Sequence, residues 1–155
     1  MNDSQTPSYS FEQLSPPLFP LAKKFYKRTK YHSHIGREDE VYVVREQSAE
    51  DPASDKEIVA AVRLVRLDRF LILRSMVVSP NRQRKGIGRF LLEHLATAIG
   101  ERDCWCFPFE WLDEFYSLIQ FKKLSPDLCP PAIAHKYQQY TSQGRKLLIM
   151  SRLSS

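Results

Sequence analysis

Residues 70–99 constrain the fold of this chain more than any other segment. Phe70 to Val78 is an almost continuous apolar run of strand length, which suits a strand covered on both faces. Residues 80–85 form a short polar turn. Residues 86–99 then carry Ile87, Phe90, Leu91, Leu95 and Ala98 at three- and four-residue steps, the period of a helix. Gly100 stands where that helix would end. The junction passes through two glycines, Gly86 and Gly88, and such a junction has its own chemistry. The first N–H groups of a helix lack carbonyl partners, and the helix dipole adds partial positive charge there. Glycine lets the backbone approach an anion closely. Arg82, Arg84, Lys85 and Arg89 surround the same point with full charges. A phosphate group fits this arrangement. The spacing matches neither the three-glycine dinucleotide fingerprint nor the Gly-Lys-Ser/Thr end of a nucleoside-triphosphate loop. On these residues alone, a plain helix start competes with phosphate binding.

The rest of the chain supplies a sheet for this unit. Residues 9–14 alternate weakly as a first strand, and Pro16 and Pro17 stop it. Phe19, Ala22, Phe25 and Tyr26 give residues 18–30 the pattern of an amphipathic helix. Residues 32–39 read as a loop. Residues 41–45 and 58–67 read as a hairpin of strands, joined by a surface turn over residues 47–56. After the glycine-led helix come a short strand at 104–107, a helix at 110–119 and a short strand at 121–124. A helix at 132–141, opened by Pro130 and Pro131, and a closing strand at 146–153 complete the chain. This order predicts a mixed α/β fold with helices on both faces of one sheet. The 155 residues suit one domain, with residues 1–8 as a flexible tail.

Composition narrows the partners. The net charge of +5 fits either nucleic acid or an anionic small molecule. Lys23, Lys24, Lys27, Arg28 and Lys30 alternate with Phe25, Tyr26 and Tyr31, which reads as the wet face of a helix and not as a recognition element. Nucleic acid is therefore not the favoured partner. Cys104, Cys106 and Cys129 form neither a disulfide framework nor a zinc set, and no metal is expected. Cys104 and Cys106 share one strand face as packing residues. No apolar run approaches the roughly 20 residues of a membrane span. The first ten residues carry no signal pattern, so a cytoplasmic enzyme is the expectation.

The wider pattern around the glycines resembles a known family. Gln83-Arg84-Lys85-Gly86-Ile87-Gly88 is similar to the Gln/Arg-x-x-Gly-x-Gly/Ala loop of the GNAT superfamily of N-acetyltransferases. Met76-Val77-Val78-Ser79-Pro80 resembles that family's central strand and its exit, and Phe115-Tyr116 through Phe121 resembles its Phe-Tyr-x-x-x-Gly-Phe motif. The resemblance extends over residues 41–153. It implies a three-layer fold around a mixed, mostly antiparallel sheet, and transfer of an acetyl group from acetyl-coenzyme A to a primary amine. It implies that Met76, Val77, Val78, Gln83, Arg84, Lys85, Gly86, Ile87, Gly88 and Arg89 bind coenzyme A. The loop amides would hold the pyrophosphate, the strand backbone the pantetheine arm, and the N–H of Met76 would face the thioester carbonyl. Tyr116 takes the position of the family's tyrosine acid.

Three positions depart from the family pattern. The central-strand glutamate is Ile72, the motif glycine is Gln120, and a helix-start asparagine is Phe109. Asp68, His32, His34 and Glu110 are then the candidate bases. Tyr137 or Tyr140 is expected to shape the acceptor pocket. A non-catalytic acyl-coenzyme A-binding module and a basic nucleic-acid-binding protein are the alternatives, and a homodimer is left open.

Overall fold

The computed structural model describes residues 7–48 and 56–154. Residues 1–6 of the expected tail and 49–55 of the expected surface turn lie outside the described residues. The elements are β1 (Ser8–Leu14), α1 (Phe19–Arg28), β2 (Glu40–Gln47), β3 (Glu57–Leu67), β4 (Phe70–Val78), α2 (Ile87–Ile99), β5 (Cys104–Cys106), α3 (Asp113–Ser117), β6 (Lys122–Lys123), α4 (Pro131–Thr141) and β7 (Met150–Arg152). The seven strands form one sheet in the order β1-β2-β3-β4-β5-β7-β6. Only β4 and β5 run parallel; the other neighbours are antiparallel. A parallel pair needs a long crossover, and α2 supplies it.

Strand alternation sends side chains into two layers. Tyr42, Val44, Val62 and Leu64 face Leu91, Leu92, Leu95 and Ile99 of α2, with Tyr116 of α3 beside them. Val41, Val43 and Ala61 face the other way, onto Phe19, Ala22, Phe25 and Tyr26 of α1. On that same side, Ile72, Trp105 and Ile149 pack against Ile133 of α4. Each fully buried Val, Leu, Ile or Phe among them contributes about 1.5–3 kcal/mol by leaving water. The three-layer, mixed α/β architecture is thus the one expected. Cys104 and Cys106 share the α2 side of β5, and burial pushes the Cys104 thiol up to about 12. Among the described residues, no helix is long and apolar enough to cross a membrane.

Several boundaries differ from expectation for local reasons. The helix at 110–119 divides into a 3-10 turn, Glu110–Leu112, and the five-residue α3. Phe109 at the head of that turn has no side-chain oxygen to cap it. The closing strand shortens to Met150–Arg152 because its partner β5 has only three residues, and Pro108 follows soon after. Leu147 still meets Phe109 through an isolated bridge. Gly86 caps α2 and does not belong to it.

One irregularity in β4 sets up the cleft. Ala61 pairs with Val77 and Arg63 with Arg74, so three steps of β4 oppose two of β3. The extra residue is a β-bulge at Ser75, whose φ is +59°. It breaks the period of two. Leu71 and Leu73 face the α2 core, and then Met76 and Val78 do so after a gap of three residues. Pairing between β4 and β5 ends at Leu73 and Cys106. Beyond that point the two parallel strands separate, and a cleft opens between them.

Candidate active site

The cleft has three connected compartments. The first, about 440 Å³, lies against Val78, Gln83, Arg84, Gly86 and Gly88. The second, about 190 Å³, reaches Arg74, Ser75, Tyr140 and Arg145. Met76 and Tyr116 line both of these, so they stand at the neck between them. The third, about 730 Å³, shares Tyr31, Arg74 and Arg145 with the second and continues along His32, Ser33 and His34. The cleft therefore runs from the glycine junction to the loop that follows α1.

At the glycine end, α2 starts with no side-chain cap. Arg84 and Gly86 hold left-handed φ values of +67° and +78°. Turns with such residues make concave, anion-accepting backbone. A Cβ added at Gly86 would meet nothing within 4 Å, so conformation and not space is what asks for glycine there. Gly88 differs, because a Cβ there would lie 3.6 Å from both Val78 and Phe115, on the cleft wall. The four cations do not act alike. Arg82 donates to Glu46 at 3.0 Å and also approaches Glu57, so it anchors the loop to β2 and β3. Arg89 pairs with Glu93 one turn on, at 3.1 Å. Arg84 and Lys85 are exposed and have no partner among the described residues. The set expected from sequence thus divides into two free cations and two engaged ones.

Along the strand, Met76 and Val78 present side chains to the cleft, while Val77 turns toward the α1 core. Val77 can take part only through its backbone. Ile87 is buried in the α2 core. Gln83 Nε2 donates to the Val78 carbonyl at 3.4 Å. The bulge itself is held from beneath. Tyr26 Oη donates to the Ser75 carbonyl at 2.7 Å, and Arg63 Nη2 donates to Ser75 Oγ at 3.1 Å. Asp39 accepts from Arg63 Nη1 at 2.7 Å, a pair whose side chains are 6% and 8% exposed. This network was invisible in the sequence, because its members come from α1, β3, β4 and a loop.

Tyr116 lies at the neck, 6% exposed, with its Oη donating to Met76 Sδ at 3.9 Å. Burial pushes its phenol well above the ordinary tyrosine range, so it stays protonated at neutral pH. Two amide bonds fix its helix turn: Phe121 N to the Tyr116 carbonyl at 3.3 Å and Gln120 N to the Ser117 carbonyl at 3.0 Å. These are the two bonds of a Schellman cap, with Gln120 at its left-handed position, φ +74°. The turn that glycine usually supplies is kept without it.

The candidate bases separate. His32 and His34 line the third compartment. Asp68 lies in the turn of the β3–β4 hairpin, beyond the far end of β4, whose Phe70 is six strand steps and so roughly 20 Å from Met76. Glu110 is exposed and lines none of the three compartments. Ile72 is packed against Trp105 and Ile133. Phe109 stacks on Trp111 at 4.7 Å and borders the second compartment. Tyr137 is engaged elsewhere, donating to the Leu147 carbonyl at 2.8 Å, whereas Tyr140 reaches the cleft.

Comparison with known proteins agrees with this architecture. The fold is similar to ribosomal-protein-S18-alanine N-acetyltransferase from Escherichia coli, with a TM-score of 0.62 and 18% identity over 95% of this chain and 94% of that one. An aminoglycoside 6'-N-acetyltransferase complexed with coenzyme A gives a TM-score of 0.58 and 13% identity over 92% and 96% of the two chains. N-acetylglutamate synthase from Neisseria gonorrhoeae, complexed with coenzyme A and N-acetyl-glutamate, gives 0.60 and 19% over 96% of this chain and 35% of that one. This chain thus spans about a third of that synthase's length. At these identities the likeness concerns the fold alone. No curated protein matches the sequence closely. The sequence itself matches the model of an acetyltransferase (GNAT) domain over residues 37–123, more than half of its length. That match takes in β2 through β6, with the bulge, the glycine junction and Tyr116, and the chain belongs to the GNAT acetyltransferase family.

Proposed function

We propose that this protein moves an acetyl group from acetyl-coenzyme A to a primary amine of a small molecule, by direct attack within a ternary complex. The observation that carries this reading is the neck at Met76 and Tyr116, where an anion-accepting compartment meets a second one of small-molecule size. The first compartment fits coenzyme A. The uncapped α2 start and the free Arg84 and Lys85 suit the pyrophosphate, and the open edge of β4 suits the pantetheine amides. The acetyl thioester would then reach Met76.

The chain's own groups have defined tasks in this scheme. The Met76 N–H donates to the thioester oxygen and stabilises the charge that builds there. The amine nitrogen bonds to the carbonyl carbon, and the C–S bond breaks with its electron pair on sulfur. Tyr116 gives its proton to that sulfur and recovers one as the new amide nitrogen loses its own through solvent. The amine must arrive neutral. His32 and His34 line the third compartment, and their imidazole nitrogens can relay that proton through water. Holding amine and thioester together supplies a large part of the rate.

Thiol release from acetyl-coenzyme A over a panel of primary amines tests the reading. Amine-dependent release, with an N-acetyl product seen by mass spectrometry, is expected. The buried Ile72 favours one competing reading, a non-catalytic acyl-coenzyme A-binding module. Tight coenzyme A binding with no turnover of any amine would favour that module instead.

A further inference from the structure

The acceptor side of the cleft is cationic, and its one carboxylate is already committed. Lys30, Arg63, Arg74 and Arg145 line the third compartment together with His32 and His34. The acid among them is Asp39, which accepts from Arg63 at 2.7 Å and from the Gly36 amide at 2.8 Å. Arg74 and Arg145 have no carboxylate partner among the described residues. The Arg74 guanidinium lies 4.5 Å over the Tyr140 ring, which orients it without neutralising it. The Tyr140 hydroxyl is itself buried without a hydrogen-bond partner among the described residues.

The geometry points to an acceptor that carries its own carboxylate, a molecule of amino-acid size held by Arg74 and Arg145 while its amine faces Met76 and Tyr116. This rests on the acetyl-transfer reading and names the substrate class for it. All five side chains, Tyr140 included, line the same 190 Å³ compartment, below the roughly 300–1,000 Å³ of pockets for drug-sized ligands. An acceptor whose amine and anionic group lie within a few bonds of each other can therefore reach both ends of that compartment. A polyamine or other polycation would add positive charge to a compartment with no free carboxylate to receive it, and like charges there select against it. A carboxylate would instead take fork-shaped, charge-assisted hydrogen bonds from the arginines. The same cations disfavour the acceptor's ammonium form. They would help present a neutral amine in a cleft where Ile72 stands at the position of the family's glutamate.

The test compares each of the common amino acids with its own carboxamide and with spermidine, by thiol release and by titration into the coenzyme A-loaded protein. At least one amino acid should exceed its carboxamide in kcat/KM by roughly 10- to 100-fold, the worth of a charge-assisted hydrogen bond. Arg74→Gln and, separately, the exposed Arg145→Gln should each shrink that ratio and leave the KM for acetyl-coenzyme A unchanged. Carboxamides or spermidine used as well as the free acids would overturn the proposal and leave acetyl transfer standing. If nothing turns over, the titration decides: an amino acid bound more tightly than its carboxamide supports it, and equal or absent binding overturns it. Failure to bind coenzyme A at all removes the underlying reading as well.

Discussion

Tyr116, the acid we propose, is buried, and that location governs how its removal should look. Tyr116→Phe keeps the ring that packs at 5.9 Å on Phe121 and loses only the proton donor. We expect the KM for acetyl-coenzyme A to hold and kcat to fall by about 10²–10⁴-fold, the usual scale for a general acid. An unchanged kcat across the pH range would mean that sulfur leaves without it. Because burial raises the Tyr116 pKa, its ionisation should produce no loss of rate below about pH 10. Gln120 offers a test of a different kind. It holds φ +74° at the end of the α3 turn, where a side chain costs about 1–2 kcal/mol. Gln120→Gly should stabilise the protein by about 1 kcal/mol and raise its melting temperature, with little change in rate. A lower melting temperature would show that the Gln120 side chain contributes more than its strained backbone costs.

At the scale of elements, α4 carries two tyrosines with different tasks. Tyr137 donates to the Leu147 carbonyl and packs with Phe107, at 6.1 Å between rings. Tyr140 faces the second compartment beneath Arg74. Tyr140→Ala should therefore raise the KM for the amine several-fold with a small loss of stability. Tyr137→Ala should mainly lower the melting temperature, because it leaves a carbonyl short of its donor and a gap in the packing. The reverse pattern would assign Tyr137 to the acceptor. Elements were also the scale at which the sequence spoke most clearly. Alternation and β-branching mark β2 and β3, a continuous apolar run marks β4 and a period of 3.6 marks α2, each within a residue or two, because each element is long enough to carry its own apolar pattern. Helix 110–119 and strand 146–153 were overread because their ends depend on Phe109, Pro108 and the short β5, not on their own pattern. The bulge at Ser75 leaves no local trace, since it is a count of β4 residues against β3. Arg82 looked like a phosphate ligand from its position beside the glycines, and its partner Glu46 lies 36 residues away.

For the whole molecule, the seven-stranded sheet opens where β4 and β5 part, and most of the candidate chemistry gathers around that cleft. Stability and site share residues: Tyr26, in the α1 core, also holds the bulge that turns Met76 into the cleft. Tyr26 and Tyr116 are both pushed above the ordinary tyrosine pKa by burial. A raised folded-state pKa stabilises fully below the unfolded value of about 10 and is lost as pH climbs toward the folded value. The urea midpoint should accordingly be insensitive to these groups up to about pH 10 and fall above it, with tyrosinate absorbance appearing together with unfolding. Tyrosinate signal from both residues near pH 10 in a still-folded protein would contradict that burial.

The most direct test of the account is calorimetric titration of coenzyme A into the wild-type protein and into Gly86→Asp, with folding checked by circular dichroism. Gly86 has open space around it and a left-handed backbone, so aspartate costs about 1 kcal/mol in conformation and adds a negative charge to the start of α2. We expect one site per chain in the wild type, weaker at higher salt because Arg84 and Lys85 are exposed cations, and at least a roughly 10-fold loss of affinity in the folded variant. Equal, salt-independent binding by both proteins would contradict it, because the pyrophosphate would then lie somewhere other than the glycine junction.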